Sequence, residues 1–267
     1  MTEKSATYWY EASRSFNSVP ADYDAYRPGY PRELVDSLIE LTGISPGGKI
    51  LEIGAGTGKA TRLLAERGFS ILCIEPGPAL AAVAARNLQA FPVVQFEVCR
   101  FEDWQEIANS FDLVFSAQAF HWVPKEVGYA KVARALKSQG YLALFWNTYP
   151  GFKGRLAADL DKIYQELAPE LKGGSSSTEA AIQNRVGEME ASGNFGPVTI
   201  RRFPWSIRYT SRQYQGLMNT YSDHLLLPEA IRQKLFEAVG DLIDSYGGSI
   251  ERPYDAVLYV AQKLPQR

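Results

Sequence analysis

The sequence predicts an α/β fold in which a mostly parallel sheet is covered by helices on both faces. Three observations carry that expectation. Between Lys49 and Trp146, short apolar runs alternate with longer segments of helical period. Glycine and proline punctuate the changeovers. A glycine-rich turn, Gly54-Ala55-Gly56-Thr57-Gly58, follows the first apolar run directly. Such alternation builds βαβ units, whose parallel strands are buried on both faces and joined by right-handed crossovers.

The elements follow in order. The first strand is expected over residues 50–53 and a helix over 56–67. A second strand, rich in Ile and Leu, covers 69–75. The alanine-rich segment 78–90 reads as a helix whose start is set by Pro78, because proline's fixed φ and missing N–H suit a first turn. Strands over 93–98 and 111–116 come next. A helix over 125–137 is expected to stop at Ser138-Gln139-Gly140, before a fifth strand over 141–146.

Other stretches break this rhythm. Residues 1–45 read as an N-terminal cap segment rich in aromatics, among them Tyr8, Trp9, Tyr10, Phe16, Tyr23, Tyr26 and Tyr30, able to fold over the C-terminal edge of the strands. Residues 46–150 form the core. Residues 151–248 read as a mostly helical lid or insertion with one strand, 198–209, and a mobile loop at 172–178. Residues 249–267 carry the last strand of the core sheet, expected over 254–262.

Composition narrows the function classes. A chain of 267 residues that is 46% hydrophobic can build one large domain or a domain with an insertion. A formal net charge of -2 gives no electrostatic pull towards nucleic acid or an anionic membrane. The four arginines Arg201, Arg202, Arg208 and Arg212 do not make a basic face, because three share one strand candidate and alternate across it. The two cysteines, Cys73 and Cys99, read as apolar core thiols with no metal-ligand spacing. No signal-like leader and no apolar run of spanning length is present, so a cytoplasmic protein is expected, either a monomer or a homodimer.

Most information lies in Glu52-Ile53-Gly54-Ala55-Gly56-Thr57-Gly58-Lys59-Ala60. The dinucleotide pattern G-x-G-x-x-G finds Gly54 and Gly56 but meets Lys59 at its third glycine. The P-loop pattern finds Gly58-Lys59 but meets Ile53 at its first glycine and Ala60 at its hydroxyl. What remains is E-x-G-x-G-x-G, headed by a carboxylate that would repel a pyrophosphate and suit a cationic ligand. Glu75 ends the second strand 21 residues after Gly54, where an acid can accept both hydroxyls of a ribose.

With these residues assembled, segment 49–147 resembles the class I methyltransferases that use S-adenosylmethionine. Their first motif matches Glu52, Gly54, Gly56 and Gly58, and their second matches Glu75. Their third matches Arg100-Phe101-Glu102-Asp103-Trp104; in similar proteins the acid there contacts the adenine amino group and the residue before it packs on the ring. Glu102 and Phe101 occupy those places, with Asp103 as the alternative acid. Their fourth matches residues 111–116, followed by Ala117-Gln118-Ala119-Phe120-His121-Trp122. The His-Trp pair and the run Tyr26-Arg27-Pro28-Gly29-Tyr30-Pro31 are similar to a small-molecule subgroup, methyltransferase type 11.

The resemblance implies a Rossmann-like, doubly wound sheet of seven strands. It implies a cofactor site of Glu52, Gly54, Ala55, Gly56, Thr57, Gly58, Glu75, Pro76, Phe101, Glu102, Ala117 and Gln118. It implies S-adenosylmethionine as cofactor, S-adenosylhomocysteine as product and no metal. His121 is the candidate base, or a residue that shapes the pocket or orients the acceptor; its unperturbed pKa of about 6.5 suits a base near neutrality. Tyr26, Arg27, Trp122, Trp146 and Tyr221 are candidate acceptor-binding residues. Arg27 would pair with a carboxylate, on the cofactor or on the acceptor, through its forked donors. His224 is expected to be structural or to line the lid. A nucleobase acceptor is disfavoured because Ser116-Ala117-Gln118-Ala119 lacks the Pro-Pro run such enzymes carry. Two other functions stay open: a non-catalytic cofactor-binding module and an NAD-dependent oxidoreductase.

Overall fold

The structure is a computed structural model and describes residues 16–171 and 178–265. Tyr8, Trp9 and Tyr10, and all of the expected mobile loop except Thr178, lie outside the described residues. The chain divides into two compact units. A sheet unit takes residues 29–148, 177–203 and 255–267, and a helix-rich unit takes 1–28, 149–176 and 204–254. The stretches read as cap (1–45) and insertion (151–248) are therefore each shared between the two units.

Seven strands form one sheet: β1 (Lys49–Ile53), β2 (Ser70–Ile74), β3 (Val94–Glu97), β4 (Phe111–Ala117), β5 (Leu136–Thr148), β6 (Thr199–Thr210) and β7 (Ser249–Gln262). Their order is β3-β2-β1-β4-β5-β7-β6. β1 to β5 pair in parallel, while β7 runs antiparallel to β5 with Tyr141 opposite Gln262 and Thr148 opposite Asp255. The chain builds outwards from β1 to β3, then returns to place β4 on the other side of β1. In such sheets ligands bind at this reversal, outside the C-terminal ends of the strands. Here those ends are Gly54, after β1, and Gln118, after β4.

The sheet unit also holds α2 (Arg32–Thr42), α3 (Lys59–Ala65), α4 (Pro78–Asn87), α5 (Lys125–Ala135) and α7 (Thr178–Ala191), and the helix-rich unit holds α1 (Pro20–Tyr26), α6 (Gly154–Leu167), α8 (Ser211–Met218), α9 (Ser222–Leu225) and α10 (Glu229–Ser245). Leu51, Ile53, Val114, Leu142 and Leu144 sit at or near zero exposure in the sheet core, as parallel strands covered on both faces require. The second core gathers Leu160, Leu217, Met218, Leu235, Val239 and Ile243. Helix α8 opens on a capping box in which Thr210 and Gln213 satisfy each other's backbone N–H groups. No described helix is long and apolar enough to cross a membrane.

Three boundaries differ from the sequence reading. Helix α3 starts at Lys59 rather than residue 56, because Gly56 and Gly58 have positive φ, which no right-handed helix admits. Residues 136–140 belong to β5 instead of ending the preceding helix: Leu136 pairs with Phe111, and the register slips between Phe111 and Leu113. β7 begins at Ser249, with Ile250, Arg252 and Tyr254 alternately buried.

Candidate active site

The glycine turn is built for close approach. Gly54, Gly56 and Gly58 have φ of 76°, 58° and 83°. A Cβ on Gly54 would lie 2.3 Å from Cβ of Ala119, and one on Gly58 would lie 2.7 Å from the Leu88 side chain. A side chain at either position meets both a steric and a conformational penalty. The three glycine N–H groups of the turn are spent inside the protein. Gly54 N–H bonds the Ile74 carbonyl at 2.8 Å, Gly56 N–H the Glu75 carboxylate at 2.8 Å, and Gly58 N–H the Ala55 carbonyl at 2.9 Å. A phosphate cradle needs such groups aimed at its ligand, and these three are turned to the protein instead.

Glu75 stands just past the tip of β2, 5% exposed. Its Oε2 accepts from Gly56 and its Oε1 from Gly77, each at 2.8 Å. Burial pushes its carboxyl up from the ordinary range, against those two backbone hydrogen bonds. Each oxygen keeps a further acceptor position for a ligand hydroxyl. Pro76 follows it, exposed, in the turn that leads into α4.

Glu52 is wholly buried in β1. Its Oε2 accepts from the Thr61 hydroxyl at 2.5 Å and from the Cys73 thiol at 3.6 Å, while its Oε1 has no partner. Burial pushes its pKa up to about 8, Glu75 adds to the rise, and the two side-chain hydrogen bonds oppose it. Thr61 therefore secures Glu52 to the helix that follows the turn, a role sequence spacing did not suggest. Ala55 and Thr57 are buried, with the Thr57 hydroxyl unpartnered.

At the end of β4, the Ser116 hydroxyl donates to the Ile53 carbonyl at 2.7 Å and ties β4 to the tip of β1. Ala117 closes the strand. Gln118 then takes φ of 60°, unusual for a residue with a side chain, and its Oε1 is buried without a partner. A 3-10 turn, Phe120–Trp122, presents His121 and Trp122 with rings 4.7 Å apart. The His121 ring is exposed, and its Nδ1 accepts from Trp146 Nε1 at 3.2 Å, so the three side chains sit together. The Arg185 guanidinium lies 4.1 Å from the Trp146 ring centre.

Beyond β3, Phe101 is buried and stacked on Trp104 at 5.9 Å, within the sheet core. Glu102 is half-buried and paired with Arg100. Tyr26, Arg27 and Tyr221 belong to the helix-rich unit and meet there. Arg27 donates to the Thr220 carbonyl at 2.5 Å and lies 4.8 Å from the Tyr221 ring centre, and Tyr209 donates to the Tyr26 carbonyl at 3.4 Å. His224 is buried, bonded to Asp223 at 2.8 Å and to the Tyr164 hydroxyl at 2.9 Å.

Residues 51–144 match the family model for a methyltransferase domain. A methyltransferase-like protein of Schizosaccharomyces pombe is 30% identical over 263 residues, covering 95% of this chain and 97% of its own length. The chain belongs to the class I S-adenosylmethionine-dependent methyltransferases. The fold of this methyltransferase is shared by a structure from Anaeromyxobacter dehalogenans assigned to the type II methyltransferases, with a TM-score of 0.60, 23% identity, and coverage of 91% of this chain and 100% of that one. It is shared also by phosphoethanolamine N-methyltransferase 2 of Haemonchus contortus, solved with phosphomonomethylethanolamine and S-adenosylhomocysteine, with a TM-score of 0.56 and 15% identity. That alignment covers 95% of this chain but 60% of the Haemonchus enzyme, so this methyltransferase spans less than two thirds of it. In this methyltransferase the turn after β1, the acid after β2 and Gln118 after β4 all stand at the C-terminal ends of parallel strands.

Proposed function

We propose that this methyltransferase carries a methyl group from S-adenosylmethionine to a small-molecule acceptor by in-line displacement, and that the acceptor is a carboxylic acid. Glu75 is the observation that carries the cofactor assignment. It is a buried carboxylate, fixed by two backbone N–H groups, beside a turn that only glycine fits. That arrangement suits two vicinal ribose hydroxyls and is wrong for a pyrophosphate. When bound, the cofactor supplies an electrophilic methyl group on a positively charged sulfur.

The chain's own residues then have separate tasks. Gly54, Ala55, Gly56, Thr57 and Gly58 bring backbone against the ligand, and Glu52 acts through that turn by way of Thr61. Glu75 and Pro76 hold the ribose edge, Glu102 the adenine edge with Phe101 packed in the core behind it, and Ala117 and Gln118 the methionine edge. Trp122 and Trp146 wall the acceptor side and exclude water, which strengthens every polar contact inside. A carboxylate acceptor is ionised at neutral pH, with an ordinary pKa of about 4, so it needs no base; His121 then orients it through an imidazole positioned by Trp146. Tyr26, Arg27 and Tyr221 form an aromatic-backed cation suited to a carboxylate.

Calorimetry with S-adenosylmethionine, S-adenosylhomocysteine and NAD tests the cofactor. One equivalent of each sulfur nucleoside should bind and NAD should not; binding of NAD alone rejects the reading. Transfer of labelled methyl groups to a panel of small acids, amines, phenols and thiols tests the acceptor. Cofactor binding with no transfer to any of them favours a non-catalytic module.

A further inference from the structure

The helix-rich unit holds a second arginine that the cofactor site does not use. Arg252 lies in β7 between Ile250 and Tyr254, and all three are buried. Alternation along a strand puts them on one face, so a guanidinium occupies a position where a core side chain is expected. It is 7% exposed. Its Nη1 donates to the Tyr214 hydroxyl at 2.5 Å. Its Cζ stands 3.7 Å from the ring centre of Tyr149, 5.4 Å from that of Tyr254, 5.5 Å from that of Tyr214 and 5.8 Å from that of Tyr221. Its Nε is buried and has no hydrogen-bond partner.

A buried cation is strongly unfavourable unless a counter-charge or a full set of acceptors meets it. Neither is supplied. Among the described residues, no carboxylate lies within ion-pair distance of Arg252. Burial pushes Tyr214 up to about 12 and raises Tyr149 and Tyr254 as well, so the surrounding hydroxyls remain neutral phenols near pH 7. Tyrosine faces favour a cation, but they leave the Nε donor unsatisfied. The requirement is for one planar anion that can reach the Nε edge of the guanidinium. A carboxylate meets that edge with two parallel hydrogen bonds. Tyr149 is 36% exposed, so this wall of the cluster faces solvent. Tyr221 lies over both Arg252 and Arg27, whose Nε is also buried and unpartnered, so a second cation sits behind the same ring.

We propose that Arg252, enclosed by Tyr149, Tyr214, Tyr221 and Tyr254, is a carboxylate-binding site within the helix-rich unit. The site rests on Arg252 and its neighbours alone. A phosphate monoester is the rival ligand, but it carries more charge and needs more donors than one guanidinium edge provides.

The experiment is calorimetry on the full chain, with and without saturating S-adenosylhomocysteine, using glutarate, tricarballylate and inorganic phosphate as probes. A carboxylate should bind one to one and phosphate should not. R252M and R252K should each weaken carboxylate binding at least tenfold while S-adenosylhomocysteine affinity stays within twofold. R252K keeps the charge and stem but loses the fork, so it carries the test if R252M fails to fold. In the wild-type protein, glutarate should also slow hydrogen exchange in residues 249–254 and 211–221. The proposal is overturned if neither carboxylate binds, if phosphate alone binds, if R252K binds carboxylate as well as the wild type, or if protection falls only elsewhere. Loss of S-adenosylhomocysteine binding in the wild type would instead reject the methyltransferase site, and the carboxylate titration without cofactor would still decide this one.

Discussion

Glu52 gives the sharpest test of the first strand's tip. An acid whose pKa is about 8 when folded, against 4.5 in its ordinary state, holds a proton in the folded chain that the unfolded chain releases. Its stabilisation is full below about pH 4.5, is lost as pH rises from there towards 8, and is flat above. The limiting slope for one proton is about 1.4 kcal/mol per pH unit. Between pH 5.5 and 7.5 the loss works out at about 2–3 kcal/mol, because the folded state begins to release its own proton near the upper end. Glu52→Gln carries the neutral shape at every pH and still offers an oxygen to Thr61, so it escapes that loss. Urea unfolding of both proteins at pH 5.5, 6.5 and 7.5 measures the difference. The variant should gain on the wild type by about 2–3 kcal/mol across the range. A constant difference would show that Glu52 does not titrate there. A carboxylate held ionised would give that same constant difference, and the assignment of Glu52 as a neutral buried group would then be wrong.

Three further outcomes are expected. Glu75→Ala should weaken S-adenosylhomocysteine binding by about 1–3 kcal/mol, the size of lost charge-assisted hydrogen bonds; unchanged affinity by calorimetry removes Glu75 from the site. Gly54→Ala should cost about 1–3 kcal/mol of stability, since its methyl meets Ala119 at 2.3 Å and its φ is 76°, and the Gly54→Ala/Ala119→Gly double variant should recover part of the loss in thermal unfolding. No recovery would mean that backbone conformation, and not the close approach, is the whole penalty. His121→Ala should lower kcat more than cofactor affinity, and equal losses in both would count against an acceptor-side role.

The parallel core was legible because its signal is local: apolar runs, glycine turns and Pro78 each act within a few residues. Residues 136–140 were not, because a Ser-Gln-Gly stop looks the same whether the chain leaves a helix into a loop or straight into a strand; only the pairing of Leu136 with Phe111 decides. The motif residues were legible as a set, but their surroundings were not. Nothing in the spacing says that Glu52 is sealed against Thr61 and Cys73, or that Phe101 stacks on Trp104 inside the core. Arg252 escaped notice because the last strand was started at Tyr254. The available signal was the alternation Ile250, Arg252, Tyr254, which puts an arginine on an apolar face.

Arg27 and Arg252 of the helix-rich unit differ from the arginines that form ion pairs, which include Arg155 of the same unit. In the sheet unit Arg32, Arg67, Arg100, Arg134, Arg185 and Arg202 each face a carboxylate. The solvent-exposed pairs of Arg32 and Arg134 contribute at most about 1 kcal/mol each, so either could be replaced with little effect on the fold. The strand expected to be solvated fits that reading: Arg202 pairs with Asp255, and Arg201 and Arg208 are exposed. Arg252 is buried and Arg27 half-buried; both are backed by aromatic rings, and neither has a carboxylate partner among the described residues. A chain of net charge -2 does not lack acids to offer them. Leaving both cations unmatched lowers the stability of the free protein, and a carboxylate ligand restores it on binding, so thermal stability should rise with glutarate concentration in the wild type and hardly move in R252K.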